Sequence, residues 1–288
     1  MLSPSFLKIE EAFRVFAQAG INIQGQQHIK PLHQHIALRL VLEGGFYPDE
    51  VTPHPPLRVA GNPAHRRLVF DPTVENSAEQ TVLGGLKTKD IDVVVAKANV
   101  GPVVAVSVKG TTGAFRNLTN RMEEAIGDST NLHIMYPGLV YGFIHLLRVN
   151  REGEPNIASN DVSVNAAGQV VNSVKRYHDV LIGLSGRRLV RDDYTRYESV
   201  GFALVETAAD RAGATFADFP PPESPLAPER FFSSLYQTYD LRFPYVGASL
   251  PSLRRVAWAP DSPAIQDLGG TENAAAVLGY TPRLIGEK

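Results

Sequence analysis

The chain has 288 residues, of which 43% are hydrophobic, and a formal net charge of −2. That length and apolar content allow a full buried core, and the near-neutral balance excludes a globally basic field, leaving a local basic cleft as the route to a nucleic acid. The absence of cysteine excludes disulfides, thiolate metal sites and a cysteine nucleophile, fits a reducing cytoplasm, and leaves oxygen and histidine nitrogen as metal donors.

In chain order, Phe6, Ile9, Phe13 and Phe16 predict a short amphipathic helix over 5–18, and Lys8, Glu10, Glu11 and Arg14 within it break the order of a signal peptide. No apolar run approaches the roughly 18 residues that span a bilayer, so no membrane partner is expected. Leu32, Ile36, Leu40 and Leu42 predict a second helix over about 31–43, stopped by Gly44 and Gly45. The prolines between 47 and 65 predict an extended surface connection or flap, followed by a strand over 67–71 and an irregular stretch over 72–88. Two valine-rich runs, 90–96 and 102–109, flank a short loop with Asn99 and Gly101 and predict a hairpin. Leu118, Met122, Ala125 and Ile126 mark a helix ending near Gly127, and 138–149 reads as a central strand. Beyond 151 follow a polar loop, a helix over about 169–184, a strand near 200–206, a helix near 228–239 and a loosely packed tail after Pro251. The fold class is α/β in the mixed α+β sense, a four- to five-stranded mixed sheet flanked by helices. One domain is expected, with its core over about 30–149 and an elaboration over about 150–288.

Strand alternation puts Ser107 and Lys109 on one face and Val104, Val106 and Val108 on the other. The hairpin brings Asp92 alongside Lys109. On the next helix Arg116, Asn120 and Glu123 recur at helical spacing, on the side away from Leu118, Met122 and Ala125, a face able to return Glu123 to the same spot. Two carboxylates and a lysine around an open position suit Mg2+, which keeps waters and accepts phosphate oxygens as its remaining ligands.

The element order, with Asp92 followed fifteen positions later by Ser107-Val108-Lys109, resembles the PD-(D/E)XK nuclease superfamily, which includes most type II restriction endonucleases. Ser107 departs from the acid usual there. The branch of restriction enzymes cutting CCGG-type sites shares that departure and takes its second acid from the next helix, about fourteen residues after the lysine, where this chain has Glu123. The resemblance covers roughly 30–149. It implies that Asp92 and Glu123 bind the metal with the Val108 carbonyl as a further ligand, that Lys109 handles the attacking water and the charge at phosphorus, and that Glu43 is an accessory acid.

Arg116, Asn117, Asn120 and Arg121 are side chains able to contact base edges of double-stranded DNA. Lys175, Arg176, Arg187, Arg188, Arg191 and Arg196 form a tract suited to phosphates or to plain solvation. The expected activity is that of a Mg2+-dependent DNA endonuclease, a homodimer matching a palindromic duplex site. A repair or junction nuclease and a non-catalytic DNA-binding subunit are the rivals. The plain alternatives for the site are a structural Asp92–Lys109 ion pair, a solvated Glu123 with Glu124 as the acid that matters, and a surface Glu43. A zinc site built on His33 and His35 is disfavoured, because two residues apart on a helix they diverge.

Overall fold

The structure is a computed structural model and describes residues 5–21, 25–113, 115, 118–191, 193–243 and 253–286. Its centre is set by the valine-rich hairpin of β6 (Val93–Lys97) and β7 (Gly101–Thr111), paired antiparallel with Val94 opposite Ala105 and Val95 opposite Val104. The reversal uses Asn99 at φ 63° and Gly101 at φ 89°, backbone that asparagine and glycine adopt most cheaply. β8 (Val140–Arg148) lies parallel to β7, and β9 (Ser199–Val205) parallel to β8. Both are nearly continuous apolar runs, as strands covered on both faces must be. With β1 (Val51–Thr52) at the other edge, the result is a five-stranded mixed sheet in the order β1-β6-β7-β8-β9.

Alternation along these strands builds two apolar layers. Val93, Val95, Val104, Val106 and Val108 face a core completed by α1 (Ile9–Gln18), α2 (Lys30–Leu42) and α5 (Pro228–Arg242). Val94, Ala105, Tyr141 and Phe143 face α3 (Leu118–Met135) and α4 (Asn172–Gly183). α5 approaches closely because β8 offers Gly142, where a Cβ would stand 2.6 Å from Phe231 Cζ. The fold is thus the expected mixed sheet between helices.

Several expectations need correction. α3 runs through Gly127 to Met135. An exposed helical glycine costs only about 1 kcal/mol relative to alanine, and burial of Asn131, Leu132 and His133 beyond it carries the helix on. The proline-rich connection contains β2 (Leu57–Asn62), hairpinned to β3 (His65–Phe70) through a turn in which Asn62 Oδ1 accepts the N–H groups of Ala64 and His65. The stretch expected to be irregular holds a second hairpin, β4 (Gln80–Leu83) and β5 (Thr88–Ile91). Its strands bury one residue each, which hides them from a search for alternation. Asn131 of α3 holds its tip by accepting from the Leu86 and Lys87 N–H groups and donating to the Lys87 carbonyl.

The tail over 253–286 packs into the core. Trp258 is fully buried and its indole donates to the Val41 carbonyl at 2.7 Å, while α6 (Pro263–Asp267) and α7 (Thr271–Leu278) bury Ile265, Ala274 and Leu278 in the α2 layer. α2 is consequently enclosed, with ten of its thirteen residues buried, including His33 and His35. No helix among the described residues is long and apolar enough to cross a membrane.

Candidate metal centre

Asp92 occupies the step between β5 and β6, at the end of the sheet where β7 carries Lys109. Its carboxylate is buried, a costly placement for a charge unless partners meet it. One oxygen, Oδ2, accepts the Val108 N–H at 2.7 Å. The other, Oδ1, lies 3.6 Å from His33 Nε2, and Glu79, just ahead of β4, completes a group whose ligand atoms all lie within 4.8 Å of one another. Burial pushes the Asp92 carboxyl above its ordinary range, against the Val108 hydrogen bond and the charges of Lys109 and Lys89. Lys89 itself pairs with Asp128 of α3 at 2.5 Å.

His33 is held neutral. Desolvation lowers its pKa to about 4, with Lys30 and Lys109 acting in the same direction and Glu79 opposing. Its Nε2 is buried and has no hydrogen-bond partner. A neutral imidazole carries a lone pair on one ring nitrogen, and His33, Glu79 and Asp92 together form a group that could hold a metal ion. His35 diverges as helix geometry requires, its Nδ1 on the Phe6 carbonyl at 2.9 Å.

Lys109 stands on the face of Ser107, as alternation predicts, with its ammonium 3.4 Å from Glu124. Glu124 also takes Arg121 at 2.8 Å. These two cations hold the Glu124 carboxyl below the usual range although burial opposes them. Ser107 is buried and shares a hydrogen bond with the Tyr141 hydroxyl at 2.7 Å, so it belongs to the packed interior. Opposite Lys109 on β8 is His145, buried between Thr111 and the Tyr177 hydroxyl.

The structure therefore brings Asp92, Lys109 and the Val108 N–H together and separates others from them. Glu123 lies on the solvent face of α3, and its neighbour Glu124 is the acid that meets Lys109. Glu43 follows the end of α2, about 15 Å along the helix axis from His33 at ~1.5 Å per residue, and is bound to Arg39 at 2.6 Å. The structure does not bring it to this centre. Arg116 and Asn117 lie outside the described residues. Asn120 and Arg121 are exposed on α3. In the basic tract Arg187 is buried, at 2.7 Å from Glu198, and does not face solvent for a phosphate, whereas Lys175, Arg176, Arg188, Arg191 and Arg196 are exposed.

Sequence reasoning missed Glu79, whose hairpin carries no alternation, and set His33 aside with His35 because the two diverge. A single histidine in the first turn of an apolar helix, together with an aspartate at the start of an apolar strand, was the available signal. No protein-family model matches the chain, and neither does any curated protein or solved structure.

Proposed function

We propose that the chain is a divalent-metal-dependent phosphodiesterase acting on DNA, with its centre at His33, Glu79 and Asp92 and with Lys109 beside it. The observation that carries this reading is the buried Asp92 carboxylate, one oxygen fixed by the Val108 N–H and the other turned to the unpartnered His33 Nε2. Two carboxylates and one imidazole fit Mg2+ or Mn2+, the imidazole tilting the choice towards Mn2+. Such an ion supplies charge neutralisation at phosphorus and a more acidic bound water.

The residues divide the remaining work. The Val108 N–H keeps the Asp92 carboxylate in one orientation, so that binding needs little reorganisation. His33 stays neutral and offers its lone pair without first losing a proton. Lys109, steadied by Glu124, holds a positive charge where a phosphate oxygen would gain negative charge. In this reading the acid missing at Ser107 is replaced by Glu79 from the β4 side rather than by Glu123 from α3. The sheet order, with an antiparallel hairpin followed by a parallel strand across α3, agrees with the resemblance to PD-(D/E)XK nucleases. The finer reading is a type II restriction enzyme cutting a duplex site as a homodimer in the cytoplasm.

The test is incubation of supercoiled plasmid with the purified chain and Mg2+ or Mn2+. Linear or discrete products that vanish in Asp92→Asn, Lys109→Ala and Glu79→Gln support the reading. Products that persist in all three refute it.

A further inference from the structure

A cavity of about 250 Å3 opens between α2, the proline run at 53–56 and the segment at 70–76. We infer that it receives one nucleobase, turned out of the nucleic-acid stack beside the candidate metal centre. The identity of this ligand rests on the phosphodiesterase reading, but its chemistry is drawn from the cavity itself.

The walls are mixed, and their apolar part includes Ala37, Pro55, Pro56 and the Phe70 ring. Aromatic and apolar side chains of this kind stack against a planar base. Among the described residues no lysine or arginine lines the cavity, which argues against a phosphate and for a neutral heterocycle. The volume falls short of the ~300–1,000 Å3 of sites for drug-sized ligands and suits a single ring system.

The polar groups at the wall have hydrogen-bonding capacity left. Gln34 spends one Nε2 hydrogen on Glu75 Oε1, over a long 3.4 Å, and keeps its carbonyl oxygen free. Asn76 accepts the Ala78 N–H through Oδ1 at 2.9 Å, leaving its amide nitrogen to donate. His54 Nδ1 bonds the Pro55 carbonyl at 2.7 Å, so in the neutral ring Nε2 accepts. Glu75 adds a carboxylate, the group that takes an exocyclic amino hydrogen such as that of cytosine. Donors and acceptors at an apolar wall match a base edge, and the excess of acceptors selects an amino-bearing base over thymine.

Position ties the cavity to the centre. Ala37 follows His33 by four residues on α2, so the two are neighbours on one helix face, roughly 6 Å apart. Glu75 and Glu79 belong to the same segment. A strand with its phosphate at Asp92 would thus have a base within reach of the slot.

The experiment is saturation-transfer NMR of the full chain, in EDTA, with cytidine, adenosine and thymidine at a few millimolar. Saturation concentrated on the base protons of cytidine or adenosine, weaker for thymidine, and reduced at least tenfold in the Gln34→Ala/Asn76→Ala double variant, supports the inference. Absence of transfer from every nucleoside overturns it, and so does undiminished transfer in a double variant with wild-type circular dichroism. Should the double variant misfold, Glu75→Gln at an exposed position decides the matter: loss of the preference for amino-bearing bases supports the slot, and an unchanged preference overturns it. EDTA separates the two claims. Nucleoside binding by a protein that cleaves nothing with metal keeps the slot and removes the nuclease reading, and cleavage without nucleoside binding does the reverse.

Discussion

Replacing Glu198 with alanine should be among the most damaging single changes in this chain. The carboxylate is fully buried and meets three groups at hydrogen-bond distance, Arg187 at 2.7 Å, Arg242 at 2.6 Å and the Tyr141 N–H at 2.7 Å, with His133 Nε2 beside it at 3.3 Å. Burial alone would raise its pKa, yet these partners hold it below the ordinary glutamate range. A carboxyl with a lowered folded-state pKa adds stability above its unfolded pKa and loses it as pH falls through the folded one. In Glu198→Ala the Arg187 and Arg242 guanidinium groups lose this counter-charge while their side chains stay 0% and 5% exposed. Removing one partner of a buried pair costs about 3–5 kcal/mol. At roughly 2–4 °C per kcal/mol for chains approaching this size, the melting temperature should fall by about 6–20 °C. Thermal denaturation followed by circular dichroism at pH 7.5 reads this directly. A fall of under about 2 °C would refute the view that this network, rather than packing alone, fastens α5 and the 187–196 loop to the start of β8 and β9.

Other outcomes follow from the same structure. His33 and His35 titrate near 4 and His145 near 3, all through burial. Depressed histidine pKa values add stability that is full above 6.5 and lost as pH falls towards 4. For His33 and His35 this amounts to up to about 3 kcal/mol each at 1.36 kcal/mol per unit. The urea midpoint should therefore drop steeply between pH 6.5 and 4, and a flat profile would contradict their neutral burial. Asp92 behaves oppositely, since a raised carboxyl pKa means stability present below the unfolded value and lost as pH rises through the folded one. Asp92→Asn should then raise the melting temperature of the metal-free protein at pH 7.5, and a clear fall would show that Lys109 and Lys89 outweigh desolvation. In plasmid cleavage Lys109→Ala should lose ~100-fold or more, Glu124→Gln less, and Glu123→Gln almost nothing. A loss in Glu123→Gln equal to that in Lys109→Ala would restore Glu123 as the second acid.

The sequence carried the middle of the fold well, because β6, β7 and β8 are buried on both faces and β-branched residues dominate them. Asp92 and Lys109 were legible for the same reason, as charges at the ends of apolar strands. What alternation cannot show is a hairpin with little burial, and β4–β5 is held by Asn131 and by Thr81 on Asp90 rather than by a core of its own. Glu79 at its base was therefore invisible. Helical spacing pointed to Glu123, with its neighbour Glu124 as the alternative, but one residue is about 100° around a helix, and only packing of α3 against the sheet decides which of them turns inward. The tail misled through its prolines and glycines, which here shape the turns around Trp258 and α6.

The most direct test of the central claim is a Mn2+ titration of the full chain at pH 7.5, with free ion followed by its paramagnetic resonance. The account predicts a single site per chain that is lost in Asp92→Asn, weakened at least tenfold in His33→Ala and Glu79→Gln, and unchanged in Glu123→Gln. Mn2+ binding that survives Asp92→Asn, or no binding by the wild-type chain, would contradict it.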